Sequence, residues 1–192
     1  MSHHPASPKH HVDVDKATKA LEAFFDALAL PDHARAETAG SAARVARLYA
    51  DTLCAGYAID PRAELQRDLL ASTSRDRIVV RGLELRTTCP HHLLPARGTA
   101  AVWVEPTGAI LGLGAYGRVL SLMASRLILQ ETLTTEYANA LWSTLKPKGL
   151  LVALTMSHGC MVVAGECAEG SSVGTYAALG DVPDSAYTEL GR

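Results

Sequence analysis

The sequence predicts an α+β domain with the element order ββααββ behind two N-terminal helices. Apolar residues recur at helical spacing within 13–60 and 115–146, and β-rich stretches flank the second of these regions. The chain has 192 residues, 48% of them hydrophobic and 20% charged, which suffices for one ordinary core. We therefore predict a flexible tail over 1–12, a helical segment over 13–60 and the main domain over 75–192.

Two amphipathic helices are predicted in the N-terminal segment. The first begins after Asp13, a residue type that caps helices, and ends at the Leu-Pro-Asp of residues 30–32. Its apolar positions are Ala17, Leu21, Phe24, Phe25 and Leu28. The second covers "SAARVARLYADTLCAGY", with an apolar face of Val45, Leu48, Tyr49 and Leu53. Between the helices we expect His33 in an exposed loop, and beside the second face we expect Cys54 to be a buried structural thiol.

Strands and helices follow each other beyond residue 75. The segments "RIVVRGLELRTT" and "GTAAVWVEPTGAILGL" are β-rich, and "EPTG" within the second indicates a hairpin-like turn. Two helices occupy residues 115–146 and end at "KPKG". Their apolar stripes are Leu120, Met123, Ala124 and Leu127 in one and Leu133, Tyr137, Leu141 and Leu145 in the other. The last strand pair is predicted at "LLVALTMSH" and "CMVVAGE", before a polar C-terminal stretch.

Composition limits the partners and the compartment. The formal charge of −2 lacks the electrostatic footprint of a protein that binds nucleic acid or an anionic membrane. No apolar run approaches the roughly 20 residues that span a bilayer, and "MSHHPASPKHHVDVD" lacks the apolar centre of a secretory signal. Four scattered cysteines do not make a disulfide framework. We therefore expect a cytoplasmic protein with reduced thiols.

The segment "TTCPHHLLP" and the later Cys160 form a candidate metal site. Cys89 and His92 are three residues apart, so both side chains can face one ion from a turn, and Cys160 lies 68 residues beyond His92. Two thiolates and one imidazole suit zinc, and three protein ligands leave a fourth position for water, whose pKa zinc lowers to about 7. Two other interpretations stay open: chance spacing, and a closed structural zinc site with Cys167 as fourth ligand.

His91 and His158 each neighbour a candidate ligand without being the obvious ligand. An imidazole beside an activated water can give and take protons near neutral pH. These two histidines are therefore candidate proton-transfer residues. The spacing alone fits a satisfied surface or core histidine equally well.

Five ordered motifs, spread from about Arg44 to Gly180, resemble those of the GTP cyclohydrolase I family. "TTCPHHLLP" resembles S-x-C-E-H-H-L-x-P, and "GAILGLGAYGRV" resembles V-x-G-L-S-K-x-x-R-I/V. "RLILQETLT" resembles R-L-Q-x-Q-E-x-L-T, and "SHGCMVVAG" resembles A-x-H-x-C-M-x-x-R-G. "ARVARLY" resembles R-V-A-K. Such zinc enzymes open the purine ring of GTP at C8, release formate and form dihydroneopterin triphosphate.

The resemblance implies a role for individual residues. It implies zinc on Cys89, His92 and Cys160, and proton transfer by His91 and His158. The residues that it implies for substrate binding are Glu131 and Gln130 at the guanine edge and Arg118, Arg44 and Arg47 at the triphosphate. It further implies the T-fold for the catalytic domain, ring assembly through intersubunit sheets, active sites between subunits, and a homodecamer of two stacked pentamers.

Departures from the family pattern concentrate at the triphosphate. Gly114 and Ala115 replace a Ser-Lys pair, and Ala164 replaces an Arg. Each lost charge-assisted hydrogen bond is worth roughly 1.5–3 kcal/mol. Pro90 and Ile128 replace a Glu and a Gln nearer the hydrolytic centre. The sequence therefore favours a purine with fewer phosphates, or none.

Three alternatives remain at this point. In the first alternative, Arg86 or Arg97 compensates for the lost cations, and GTP is the substrate. In the second alternative, the protein is a family relative of specialised metabolism that opens a guanine-like heterocycle without making a pterin. A non-catalytic ring-forming paralogue binds a purine or a partner, although such a binder has no need of two proton-transfer histidines.

Overall fold

The computed structural model describes residues 10–166 and 168–191. Most of the predicted tail, residues 1–9, lies outside the described residues, and so does Cys167, the alternative fourth ligand. Among the described residues, no helix is both long and apolar enough to cross a membrane.

Four α-helices of the described part of the chain precede the main sheet. They are α1 (Val14–Ala27), α2 (Asp32–Glu37), α3 (Ser41–Leu48) and α4 (Pro61–Gln66). Asp13 caps α1 as predicted, because its side chain accepts a 2.9 Å hydrogen bond from the Lys16 backbone N–H. The expectation of a loop at His33 is wrong, since this exposed residue lies within α2.

The second predicted helix is interrupted. Regular α-helix stops at Leu48, and the chain continues through a π-type turn over Tyr49–Leu53 and a 3-10 turn over Ala55–Ala58. Gly56 allows this segment to pack closely against the backbone of Leu122, because a Cβ at Gly56 would lie 2.2 Å from the Leu122 carbonyl oxygen. Cys54 is buried, as expected.

The strands form two antiparallel sheets. They are β1 (Leu69–Ala71), β2 (Ile78–Thr88), β3 (Pro95–Glu105), β4 (Ala109–Leu111), β5 (Gly149–His158) and β6 (Val173–Gly180). The main sheet has the order β2-β3-β5-β6, and β1 pairs separately with β4. The predicted hairpin at "EPTG" is therefore wrong. Both edges of β3 are already occupied by β2 and β5, so β4 pairs elsewhere.

The end of the domain also differs from the prediction. "CMVVAGE" is not a strand, because Gly159–Val163 forms the short helix α7. The fourth strand of the main sheet is β6, which lies in the C-terminal stretch predicted to be polar. Its residues alternate between half-buried and exposed. A final helix, α8 (Asp184–Glu189), follows.

Two long helices cover one face of the main sheet. These are α5 (Leu113–Ala124) and α6 (Gln130–Leu145), and their predicted stripes are buried, except that Leu127 lies beyond the end of α5 and is half-buried. On the opposite face, Trp103 and Leu151 pack against Ala186 of α8. The α+β prediction is confirmed, and the antiparallel sheet with its paired helices fits a T-fold-like domain.

Candidate metal centre

Cys89 and His92 lie in a tight turn between β2 and β3. The backbone N–H of Cys89 donates to the Leu94 carbonyl and that of Leu93 donates to the Cys89 carbonyl, both at 2.9 Å. Closing this turn places Leu93 in the left-handed region, with φ of 56°. The turn thereby brings the His92 ring back towards the thiol, with Nδ1 at 3.9 Å from the Cys89 sulfur.

Cys160 arrives from the far end of β5. Ala96 of β3 pairs with His158, the last residue of β5, and α7 then turns Cys160 towards the loop. Gly159 is required at this bend, since a Cβ would lie 2.9 Å from the Pro95 carbonyl oxygen. The sheet register thus brings Cys160 beside Cys89.

The three side chains fit a zinc ion. The two Sγ atoms and one imidazole nitrogen of Cys89, His92 and Cys160 all lie within 4.8 Å of one another. Tetrahedral zinc with Zn–S of ~2.3 Å and Zn–N of ~2.0 Å separates such atoms by about 3.5–3.8 Å, so only a small contraction is needed. Both thiols are buried and His92 is exposed, which leaves one side of the group open.

The environment prepares one thiol for metal binding. Burial opposes the charged form of Cys89, but hydrogen bonds from the His92 side chain and from the backbone of His91 and His92 outweigh it, so its pKa lies below the usual value. Burial and the neighbouring Cys89 raise the pKa of Cys160. One thiol therefore deprotonates more readily than its neighbour, and a cation between them would favour both thiolates.

A cavity of about 440 Å³ opens beside these ligands. Besides the three candidate ligands, it is lined by the other predicted residues His91, His158, Gln130 and Glu131. The link between α5 and α6 forms one wall: Leu127 bridges to Thr88, and the Ile128 N–H donates to the Thr88 carbonyl at 3.3 Å. This anchoring places the first turn of α6, with Glu131, against the metal group.

Gln130 lines the cavity, and its side-chain amide forms hydrogen bonds within the protein. It is buried, and its Nε2 group donates to the carbonyls of Leu154 at 3.2 Å and Val173 at 2.9 Å. Because carbonyls only accept, the amide oxygen must face His158, whose Nε2 lies 2.8 Å away. In neutral His158 the proton is therefore on Nε2, and Nδ1 is the basic atom.

Replacing Gln130 with leucine is expected to lower the free energy of unfolding by about 2–3 kcal/mol, because buried carbonyls lose their donor. Chemical denaturation monitored by circular dichroism measures this change. The matched control is Gln66→Leu on exposed α4, expected to change stability by less than about 0.5 kcal/mol. Equal effects of the two substitutions would contradict a structural role for Gln130.

The three predicted phosphate-binding arginines do not line the cavity of their own chain. Arg118 donates a 2.9 Å hydrogen bond to the Glu64 carboxylate and also forms an ion pair with Asp68. Arg44 bonds to Ser41 and to the Ala39 carbonyl near the start of its own helix. Arg47 is exposed on the same helix.

Arg118 is also far from the metal centre when its position is measured along β2. A Cβ on its neighbour Gly117 would contact Leu83, five residues before Thr88 on β2. At ~3.3 Å per residue, this is about 16 Å from the metal end of the strand.

The substituted positions give no replacement cation. Ala115 is buried in α5, and Gly114 is exposed at the start of that helix. Ala164 is exposed at the end of α7, and Pro90 lies in the metal-site turn. Ile128 lines the cavity, so an apolar side chain faces the site there.

Several cavity residues were not singled out in the sequence. Thr87, Ala96, Met161 and Val173 line the cavity. Ala96 lies between two exposed residues, Thr87 precedes Cys89 by two residues and Met161 adjoins Cys160, so strand periodicity and spacing held a signal for them. Val173 comes from β6, which was missed as a strand, so its position was inaccessible to sequence reasoning.

Comparisons with known proteins agree with the geometry. The sequence model of the family described as GTP cyclohydrolase I matches residues 17–189. GTP cyclohydrolase 1 of Carboxydothermus hydrogenoformans is 33% identical over 178 residues, 92% of this chain and 91% of that protein. The enzyme of Pelotomaculum thermopropionicum is 33% identical over 88% of both chains. GTP cyclohydrolase 1 1 of Pseudomonas aeruginosa is 36% identical over 71% of this chain and 73% of its own. The chain belongs to the GTP cyclohydrolase I family.

Proposed function

We propose that this chain is a zinc-dependent hydrolase that opens the imidazole ring of a guanine-type purine at C8. Family membership makes it a hydrolase acting on a C–N bond of a purine ring. The observation that carries the proposal is one 440 Å³ cavity lined by the Cys89, His92 and Cys160 group together with two histidines and a carboxylate. Metal, proton-transfer groups and a purine acceptor are thereby within reach of one ligand.

Each group has a distinct task. When bound, zinc supplies Lewis-acid activation of water for attack at C8. Breaking the bond between C8 and a ring nitrogen requires a proton at that nitrogen. His91 and His158 line the cavity and supply or remove it, and Gln130 fixes the His158 ring.

Glu131 recognises the base. It is exposed at the start of α6 and lines the cavity, where its carboxylate can accept two N–H groups from the guanine edge. An adenine-type edge has no matching pair of donors. The proposed selectivity for guanine-type purines follows from this carboxylate.

The proposed substrate carries fewer phosphates than GTP, or none. Gly114, Ala115 and Ala164 offer no charged hydrogen bonds. Arg118 is already neutralised by Glu64 and Asp68. Binding a triphosphate there would require breaking both pairs and placing more negative charge beside two carboxylates.

Neutralising Glu64 and Asp68 together, by Glu64→Gln and Asp68→Asn, is expected to tighten GTP binding about tenfold relative to guanosine. The reason is that about 1.4 kcal/mol of competing ion pairing at Arg118 is removed. Calorimetric titration of both ligands measures the ratio. Glu22→Gln, an exposed change on α1, is the control. An unchanged ratio would show that Arg118 is not a phosphate ligand.

The direct test of function is ring opening. Zinc-loaded protein is incubated with guanine, guanosine, GMP and GTP, and products are followed by mass, formate release and pterin fluorescence after oxidation. We expect ring opening of guanosine or GMP in preference to GTP. Ring opening without a fluorescent product would identify a hydrolase outside pterin synthesis, and no opening of any purine would refute the proposal.

We further propose that the active form is a ring, in the family's decamer of two pentamers, located in the cytoplasm. The support is that Arg44, Arg47 and Arg118 lie outside the cavity of their own chain while the cavity itself is open. A neighbouring subunit would cover the open side of the cavity and would bring Arg44 and Arg47 to the substrate, while Arg118 stays paired with Glu64 and Asp68. Analytical ultracentrifugation of the zinc-loaded protein measures the assembly.

A further inference from the structure

Arg86 and Arg97 lie on the face of the sheet opposite the metal centre. They are direct partners in the register between β2 and β3, and Ser157 of β5 is the next partner of Arg97. The following pair of partners, Thr87 and Ala96, lines the metal cavity. Because side chains alternate between faces along a strand, the arginines point away from that cavity. They therefore do not compensate for the missing triphosphate cations in their own chain.

These arginines have little internal compensation. Like charges directly opposite each other on paired strands repel. Arg86 is 3.9 Å from Glu84, with both side chains 86% exposed, which is a loose contact. Within residues 10–166 and 168–191, no carboxylate or hydrogen-bond acceptor pairs with the Arg97 guanidinium. Arg86 and Arg97 are thus two neighbouring cations without a shared counter-ion.

A concave surface surrounds the arginines. A cavity of about 370 Å³ is lined by Arg86, Arg97, Ser157, Thr99 and Glu84, together with Leu85 and Gly98. The two guanidinium groups and the hydroxyls of Ser157 and Thr99 are hydrogen-bond donors. Opposed Cβ atoms in a sheet are about 5 Å apart, so both guanidinium groups can reach one anion.

We propose that Arg86, Arg97 and Ser157 form a binding site for a phosphoryl anion behind the metal centre. A phosphoryl group has enough oxygen acceptors to engage both guanidinium groups and the hydroxyl, whereas a carboxylate has only two oxygens. The anion would replace repulsion between the arginines with attraction to both. Glu84 is exposed and can turn outward when the anion binds.

The test is calorimetric titration of the zinc-loaded full chain with inorganic phosphate. The double substitution R86Q/R97Q is expected to weaken phosphate binding at least tenfold, and Ser157→Ala is expected to weaken it less. R62Q/R75Q removes the same charge from two other exposed positions and should leave the affinity unchanged. Denaturation curves of the variants verify that they fold.

Two further measurements test where the anion binds and whether it is a phosphate ester or free phosphate. Cys160→Ala should retain phosphate binding, because the proposed site does not include the metal. Loss of phosphate binding in that variant would instead place the phosphate at the metal. Glycerol phosphate binding tighter than phosphate identifies a phosphate ester as the ligand, and the reverse identifies free phosphate.

Three results would overturn the site. These are no phosphate binding by the wild type, equal affinity in R86Q/R97Q, or equal loss in R62Q/R75Q.

Discussion

Replacing Cys160 with alanine is expected to abolish zinc binding at stoichiometric concentration and to reduce purine ring opening at least about 10³-fold. Loss of one of three ligands weakens the metal site more than the 10–100-fold typical of losing an outer-shell partner. The lost activation of water corresponds to several kcal/mol of transition-state stabilisation. Zinc per chain is measured by inductively coupled plasma mass spectrometry, and turnover by formate release.

Cys54→Ala is the matched control for this experiment. Cys54 and Cys160 are buried to nearly the same extent, 8% and 9% exposed, but Cys54 does not line the cavity. The control therefore makes a similar small change in a buried site and should keep one zinc ion per chain. A Cys160→Ala protein that keeps its zinc, or a Cys54→Ala protein that loses it, would contradict the proposed ligand set.

One half of the metal group was predictable because it is local to the sequence, whereas Cys160 joins it only through the pairing of β3 with β5. Cys89 and His92 are three residues apart, a spacing that lets a thiol and an imidazole face one zinc ion from a turn. The helical stripes were predictable for a similar reason: Leu133, Tyr137 and Leu141 repeat at the helical period and are fully buried.

Short segments were mispredicted where tertiary contacts override local preference. "CMVV" has β-branched residues, yet it forms α7, because β5 ends at His158 beside the start of β3 and the chain turns at Gly159. β6 was missed because small residues fill its sequence, and its pairing with β5 is a non-local contact.

The faces of the strands decide which arginines can serve the site. Arg86 is only three residues from Cys89, and compensation for the lost cations by Arg86 or Arg97 was one of the alternatives that the sequence left open. The observed register instead places Thr87 in the cavity and Arg86 behind it. A shift of one residue would exchange these faces, and the sequence alone does not fix that register.

His158→Gln is expected to lower turnover about 10²–10⁴-fold while zinc content stays the same, because a proton-transfer group is removed and no metal ligand is touched. Glutamine is the informative replacement. Its Nε2 group can take the place of the His158 Nε2–H that faces Gln130, so the hydrogen bond persists while the basic nitrogen is lost. Turnover at saturating substrate and zinc per chain are the two measurements, and His33→Gln on exposed α2 is the control. Loss of zinc in His158→Gln would assign this residue to the metal instead.

A double substitution separates catalysis from positioning. If Gln130 acts on turnover only by fixing the His158 ring, Gln130→Leu should slow the wild type but have no further effect once His158 is glutamine. Additive losses would mean that Gln130 contacts the substrate directly, as the family resemblance implies. Non-additive losses would support a positioning role, in which the Gln130 amide stays bound to Leu154, Val173 and His158 and the proposed purine contact is made by Glu131.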